Sequence, residues 1–81
     1  MKLPRDLGGD ELIALLGKYG YQATRQTGSH VRLTSNYKGT EHHVTVPRHE
    51  SLKVGTLSSI IDEVAGYLMV DKQALLDEMF G

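Results

Sequence analysis

Residues 25–34 read Arg-Gln-Thr-Gly-Ser-His-Val-Arg-Leu-Thr, and the fold turns on this stretch. Thr27-Gly28-Ser29 is a hairpin signal, because Gly28 can take the positive φ that a tight turn needs. From His30 to Thr34 the residues alternate. Val31 and Leu33 fall on one face, and His30, Arg32 and Thr34 on the other, which is strand spacing. Upstream of the turn, residues 21–26 read as the partner strand. Tyr21, Ala23 and Arg25 are expected on one face of it, with Gln22, Thr24 and Gln26 on the other. Downstream, residues 35–40 contain Asn36 and Gly39 and read as a second turn. Residues 41–46 make a third strand, in which His42, Val44 and Val46 alternate with His43 and Thr45. Pro47 has no N–H to give a ladder and ends it.

Helical spacing brackets these strands. Leu12, Ile13, Leu15, Leu16 and Tyr19 recur at i, i+3, i+4 and i+7, which predicts a helix over residues 10–19. Asp10 and Glu11 suit its first turn, Lys18 suits its last, and Gly20 is a natural stop. After a connection at 48–55, Leu57, Ile60, Ile61, Val64 and Ala65 predict a second helix, with Thr56 as its N-cap and Gly66 as its end. Asp71 is the expected cap of a short third helix carrying Leu75, Leu76, Met79 and Phe80. Val70 and Leu75 are spaced as a hydrophobic staple across that cap.

The order α-β-β-β-α, then α, predicts an α+β protein. Its three-stranded antiparallel sheet is covered on one face by helices that need Val31, Leu33, Val44 and Val46. The other face is left open. It carries His30, Arg32 and Thr34 from the middle strand, and His43 and Thr45 from the third.

Length and composition narrow the function. The chain has 81 residues; at roughly 150 residues per domain this predicts a single domain over 1–81. So short a chain leaves little room for a large substrate cavity, and any chemistry is expected on a surface or in a shallow groove. No cysteine is present, which excludes a disulfide scaffold, a zinc ribbon and a thiol nucleophile. The longest apolar run, residues 12–16, falls far short of the roughly 20 residues that span a bilayer. The first five residues lack the apolar core of a signal peptide. A soluble, cytoplasmic protein with no membrane partner is expected.

Formal net charge is −1, but the charges are segregated. Residues 25–53 hold five Lys or Arg, two Glu and all four histidines, whereas residues 54–81 hold one Lys and five acids. A basic middle suits an anionic partner, of which nucleic acid is the commonest.

Imidazole ordinarily titrates near neutrality, so a histidine on such a surface can act as a general base. Against RNA the proton to remove is on the 2′-OH, whose oxygen then attacks the adjacent phosphate. His30 is the best placed, since it starts a strand directly after the Gly28-Ser29 turn. Arg32 lies on the same face and can hold a phosphate. Lys53, ahead of the second helix, offers a cation beside a helix N-terminus. His42 and His43 are adjacent on a strand and face opposite ways, a poor chelate, so no metal and no cofactor are expected. Ser29 has no Asp-His relay at a recognisable spacing, which argues against a serine hydrolase. Tyr19, Tyr21 and Tyr67 read as packing residues, while Tyr37 sits in a turn.

These residues resemble the HicA, or YcfA-like, toxins of type II toxin–antitoxin systems. The resemblance is carried by Lys2-Leu3-Pro4-Arg5, residues 9–16, Tyr19-Gly20-Tyr21, the run 25–33 with its Gly-Ser-His, Val44-Thr45-Val46-Pro47, and His49 through Gly55-Thr56-Leu57. It implies a fold like a double-stranded RNA-binding domain. It also implies a ribosome-independent mRNA interferase with one essential histidine, matching His30, and a HicB-like antitoxin that covers the active surface. On this reading Gly28 and Ser29 form the turn that presents the base. Arg32, Lys53 and Arg48 contact phosphate; the leaving-group acid is not identified, with His43 and His49 as the candidates. One departure is that Ser58, Ser59, Asp62 and Glu63 stand where family members often carry Lys or Arg. Two other readings stay open: a non-catalytic RNA-binding module of the same fold, and a protein-interaction domain that uses the open sheet face.

Overall fold

The computed structural model describes residues 3–81. Helix α1 spans Gly9–Leu16 and tightens into a 3₁₀ turn, Gly17–Tyr19. Three strands follow, β1 Gln22–Thr27, β2 His30–Ser35 and β3 His42–Pro47, then helices α2 Val54–Leu68 and α3 Lys72–Phe80. The strands form one antiparallel sheet in the order β1-β2-β3. This is the expected α+β architecture.

The helices cover one face. Leu12 and Leu16 of α1 and Leu57, Ile60, Ile61, Val64, Ala65 and Leu68 of α2 are buried with Val31, Leu33, Val44 and Val46. Each such side chain removed from water stabilises the fold by about 1.5–3 kcal/mol before the entropy of ordering it is counted. Tyr19 and Tyr21 join this core, as expected of packing residues. Burial pushes the Tyr21 hydroxyl far above its ordinary range, with the Tyr67 and Glu63 charges adding to the shift.

Four local expectations change. The first helix is α-helical only to Leu16; its last turn is 3₁₀, closed by Gly20 at φ 82°. The second helix begins at Val54, with Lys53 at its N-cap and no side-chain capping bond, so Thr56 lies within its first turn. It also runs through Gly66 to Leu68 and ends on Met69 at φ 60°. The extra half-turn buries Leu68. That gain, about 1.5–3 kcal/mol, exceeds the roughly 1 kcal/mol cost of an internal glycine. The cap of α3 is as expected: Asp71 accepts from the Ala74 N–H at 3.1 Å.

The fourth change matters most for function. Ala23 pairs with Leu33 and Arg25 with Arg32, so Thr24 is a β-bulge. A bulge inserts one residue and reverses the faces beyond it. Arg25 therefore does not share a face with Tyr21 and Ala23; it joins the open face beside Arg32.

Candidate functional site

The two-residue turn Gly28-Ser29 joins β1 to β2. Gly28 has φ 59°, while Ser29 keeps a negative φ, the pattern of a II′ hairpin turn. The turn fixes the register Thr27↔His30 and starts β2 on the histidine. His30, Arg32 and Thr34 then align across β3 with Pro47, Thr45 and His43. The open face thus carries the residues expected of it. His43 Nδ1 lies 2.8 Å from Thr34 Oγ1, so these two side chains meet on that face.

One end of the open face deepens into a hollow of about 380 Å³ lined by His30, Thr45, Pro47, His49, Leu52, Lys53 and Thr56. These residues come from β2, β3, the loop after β3 and the first turn of α2. Three backbone hydrogen bonds hold that loop in place. The Arg48 N–H donates to the Ser29 carbonyl at 2.6 Å, the Gly9 N–H to the His49 carbonyl at 2.9 Å, and the Leu52 N–H to the Leu7 carbonyl at 2.7 Å. Gly9 has no room for a side chain, since a Cβ there would sit 2.1 Å from the Pro47 carbonyl oxygen. The start of α1 is pressed directly onto the segment that carries His49.

Electrostatics favour an anion in this hollow. Lys53 is exposed and stands at the N-terminus of α2, whose first turn holds no acid. The free N–H groups and the helix dipole there add positive potential. Next to the hollow, one residue pair further along the sheet, Arg25 and Arg32 face each other across β1 and β2. Like charges placed directly opposite are destabilising unless something negative lies between them.

The expected site residues divide into two groups. His30, Lys53 and His49 line one hollow, and the Gly28-Ser29 turn is tied to its loop through the Ser29 carbonyl. Arg32 stands on the adjoining open face. Arg48 is turned to α1, where its Nε and Nη2 donate to the two carboxylate oxygens of Asp10 at 2.7 and 3.1 Å. That hydrogen bonding holds the Asp10 carboxyl below the usual carboxylate range and Arg48 above its own. His43 lies towards the far end of the open face. Its Nε2 is 3.4 Å from Glu41 Oε1. His42 is on the opposite face, its Nδ1 2.7 Å from the Tyr21 hydroxyl and its ring stacked on Tyr67. The two adjacent histidines do point apart. Among the described residues no three His, Asp or Glu side chains converge as a metal site. Nor is any helix among them long and apolar enough to cross a membrane.

Arg25 is the open-face residue that sequence spacing hides. Its signal would have been the like-charged pair it forms with Arg32, visible only once the bulge is placed. Away from this face, α2 exposes Ser59, Asp62 and Glu63, and Asp62 is paired with Lys72 at 2.9 Å. The basic and acidic surfaces are thus separate.

Residues 9–66 match a family model described as the HicA toxin of bacterial toxin–antitoxin systems. The matched span covers α1, the whole sheet, the loop carrying His49 and most of α2. No curated protein and no solved structure matches the chain.

Proposed function

The chain belongs to the HicA toxin family, and from that premise we propose that it is a metal-independent endoribonuclease acting on mRNA in the cytoplasm. The family is in general one of ribonucleases, each the toxin of a toxin–antitoxin pair. His30 is the general base. It takes the proton of a ribose 2′-OH, whose oxygen attacks the adjacent phosphorus. Negative charge then grows on the phosphorane oxygens, where Lys53 and the N-terminal N–H groups of α2 stabilise it. Arg32 and Arg25 hold the neighbouring phosphates along the open face. Gly28 and Ser29 form the turn that presents the base. The partner is a HicB-like antitoxin, which neutralises the toxin by covering this basic face.

The observation that carries the reading is the shared hollow of His30 and Lys53 at the edge of an open, arginine-bearing sheet face. The acidic flank of α2 supports a substrate lying across the sheet rather than along that helix.

The test is cleavage of RNA by purified protein in EDTA, beside His30→Ala with matched circular dichroism. Wild-type cleavage that His30→Ala abolishes is expected. Equal cleavage by both proteins excludes His30 as the base. Salt-dependent RNA binding without cleavage would instead indicate the non-catalytic module, because phosphate contacts weaken steeply with salt.

A further inference from the structure

We infer that His49 is the general acid of this cleavage, the group that protonates the departing 5′ oxygen; the inference rests on the ribonuclease reading above. A 2′-oxygen attack needs two proton transfers, one from the nucleophile and one to the leaving group. His30 serves the first. Three other histidines are present to serve the second, and their surroundings separate them.

His42 is on the helix-covered side. Its Nδ1 meets the Tyr21 hydroxyl at 2.7 Å, and its ring stacks on Tyr67 with centroids 4.7 Å apart. His43 shares the open face with His30, but Nδ1 is engaged by Thr34 and Nε2 faces Glu41 at 3.4 Å. It is also too distant. His43 pairs with Thr34, four residues along β2 from His30, or about 13 Å at 3.3–3.4 Å per residue. One phosphodiester cannot place its 2′ and 5′ oxygens on rings so far apart.

His49 meets both requirements. It lines the same hollow as His30, together with Lys53, Thr45 and Thr56. Among the described residues, no hydrogen bond engages either ring. The two histidines are also tied to each other through the backbone. Ser29, which precedes His30, accepts the N–H of Arg48, which precedes His49. The Gly9 N–H fixes His49 from its other side. Held this way, the hairpin turn and the loop after β3 present one imidazole each to a common space, with Lys53 between the sheet and α2.

The step balances. His30 accepts the 2′ proton as the 2′-O–P bond forms. The P–O5′ bond breaks, and the His49 imidazolium gives its proton to O5′. The products are a 2′,3′-cyclic phosphate on the upstream fragment and a 5′-hydroxyl on the downstream one. Exchange with water restores both histidines.

A leaving group that needs no proton separates this role from a structural one. A site cleaved by wild type is first mapped on a mixed-sequence RNA. A short oligoribonucleotide is then made in two forms, with oxygen or sulfur at the bridging 5′ position of that linkage. On the oxygen form, His49→Ala and His49→Gln should each lose about 10²–10⁴-fold in rate, the usual share of a positioned acid. On the sulfur form both should approach the wild-type rate, because a thiolate departs unprotonated. His30→Ala should stay slow on both. Wild-type rates for the His49 variants on the oxygen form, or an equal loss on both forms with folding intact, would overturn the assignment. If His30→Ala and wild type cleave alike, the ribonuclease reading with His30 as base fails first, and the His49 role falls with it.

Discussion

Replacing Gly9 by alanine puts a methyl carbon where the backbone leaving β3 already lies. The new Cβ would be 2.1 Å from the Pro47 carbonyl oxygen and 2.8 Å from the Arg48 Cα, against a floor of 3.0 Å for real contacts. The shortfall is nearly an ångström, and both neighbours are main chain, so no rotamer change can relieve it. Either α1 lifts from the sheet or the loop over residues 47–50 moves. Overpacking of this kind costs about 1–3 kcal/mol. The move also breaks the Gly9 N–H bond to the His49 carbonyl, worth about 0.5–1.5 kcal/mol. Alanine's better helix propensity returns less than about 1 kcal/mol at this first-turn position. The balance is a loss of about 1–4 kcal/mol. For a domain this size each kcal/mol moves Tm by about 4–8 °C, so a fall of roughly 4–32 °C is expected. Gly66→Ala is the internal control. Gly66 lies inside α2, and a Cβ there meets nothing within 4 Å. It should raise stability by about 0.5–1 kcal/mol through helix propensity alone. Thermal melts followed at 222 nm would measure both variants. A Gly9→Ala protein melting within a degree or two of wild type, or shifting in the same direction as Gly66→Ala, would refute the close approach and the account of how His49 is held.

Arg25→Ala should weaken RNA binding and lower the slope of log K against log salt by about one phosphate's worth, 0.7 to 0.9; an unchanged slope would remove Arg25 from the interface. Asp10→Asn releases the Arg48 guanidinium and should tighten RNA binding, an effect that Arg48→Ala added to it should cancel; equal affinities throughout would mean that Arg48 stays clear of phosphate. Burial, followed by the hydrogen bond and charge of Glu78, pushes the Tyr19 hydroxyl up from 10.0 to about 12. The folded state favours the neutral phenol, so this stabilisation is complete below pH 10 and lost as pH rises through 12. An absorbance titration at 295 nm should show a step near pH 12 that Tyr19→Phe removes while the later rise of Tyr21 stays; a Tyr19 step near pH 10 would count against that burial.

The open face was legible in the sequence because two local rules agreed. A Gly-Ser turn set the hairpin register, and period-two alternation then assigned every residue from His30 to Thr34 to a face. Val44 and Val46 marked the covered side of the third strand in the same way, which placed His43 and Thr45 opposite them. The first strand carried no such marker. All six of its residues are exposed, so no apolar residue within it betrays which face is inward. An extra residue at Thr24 therefore passed unseen and left Arg25 on the wrong side. The ends of α2 were missed for a related reason. Thr56 and Gly66 are good local start and stop signals, but the helix runs past both, from Val54 to Leu68, and at its C-terminal end the extension buries Leu68.

The loop over residues 47–52 shows why the site was only half readable. Its side chains are individually unremarkable in sequence, and His49 resembles any surface histidine. What places it at the hollow is backbone contact with two segments far away in the chain, the Ser29 turn and the start of α1. Those contacts depend on the absent side chain of Gly9 and on a carbonyl at Ser29, neither of which advertises a partner. His30, directly after a glycine turn, carries a local signature that the sequence shows. His49 stands in the sequence only as an alternative to His43; its place at the hollow, and that of Arg25 past the bulge, are fixed by long-range backbone packing and required the fold. On the two-proton reading, chemistry at this site therefore depends on the clamp between α1, the hairpin turn and the β3 exit as directly as on either imidazole. A variant that loosens the clamp should lose cleavage of the oxygen linkage before it loses RNA binding, since Arg25, Arg32 and Lys53 are anchored on the sheet and on α2.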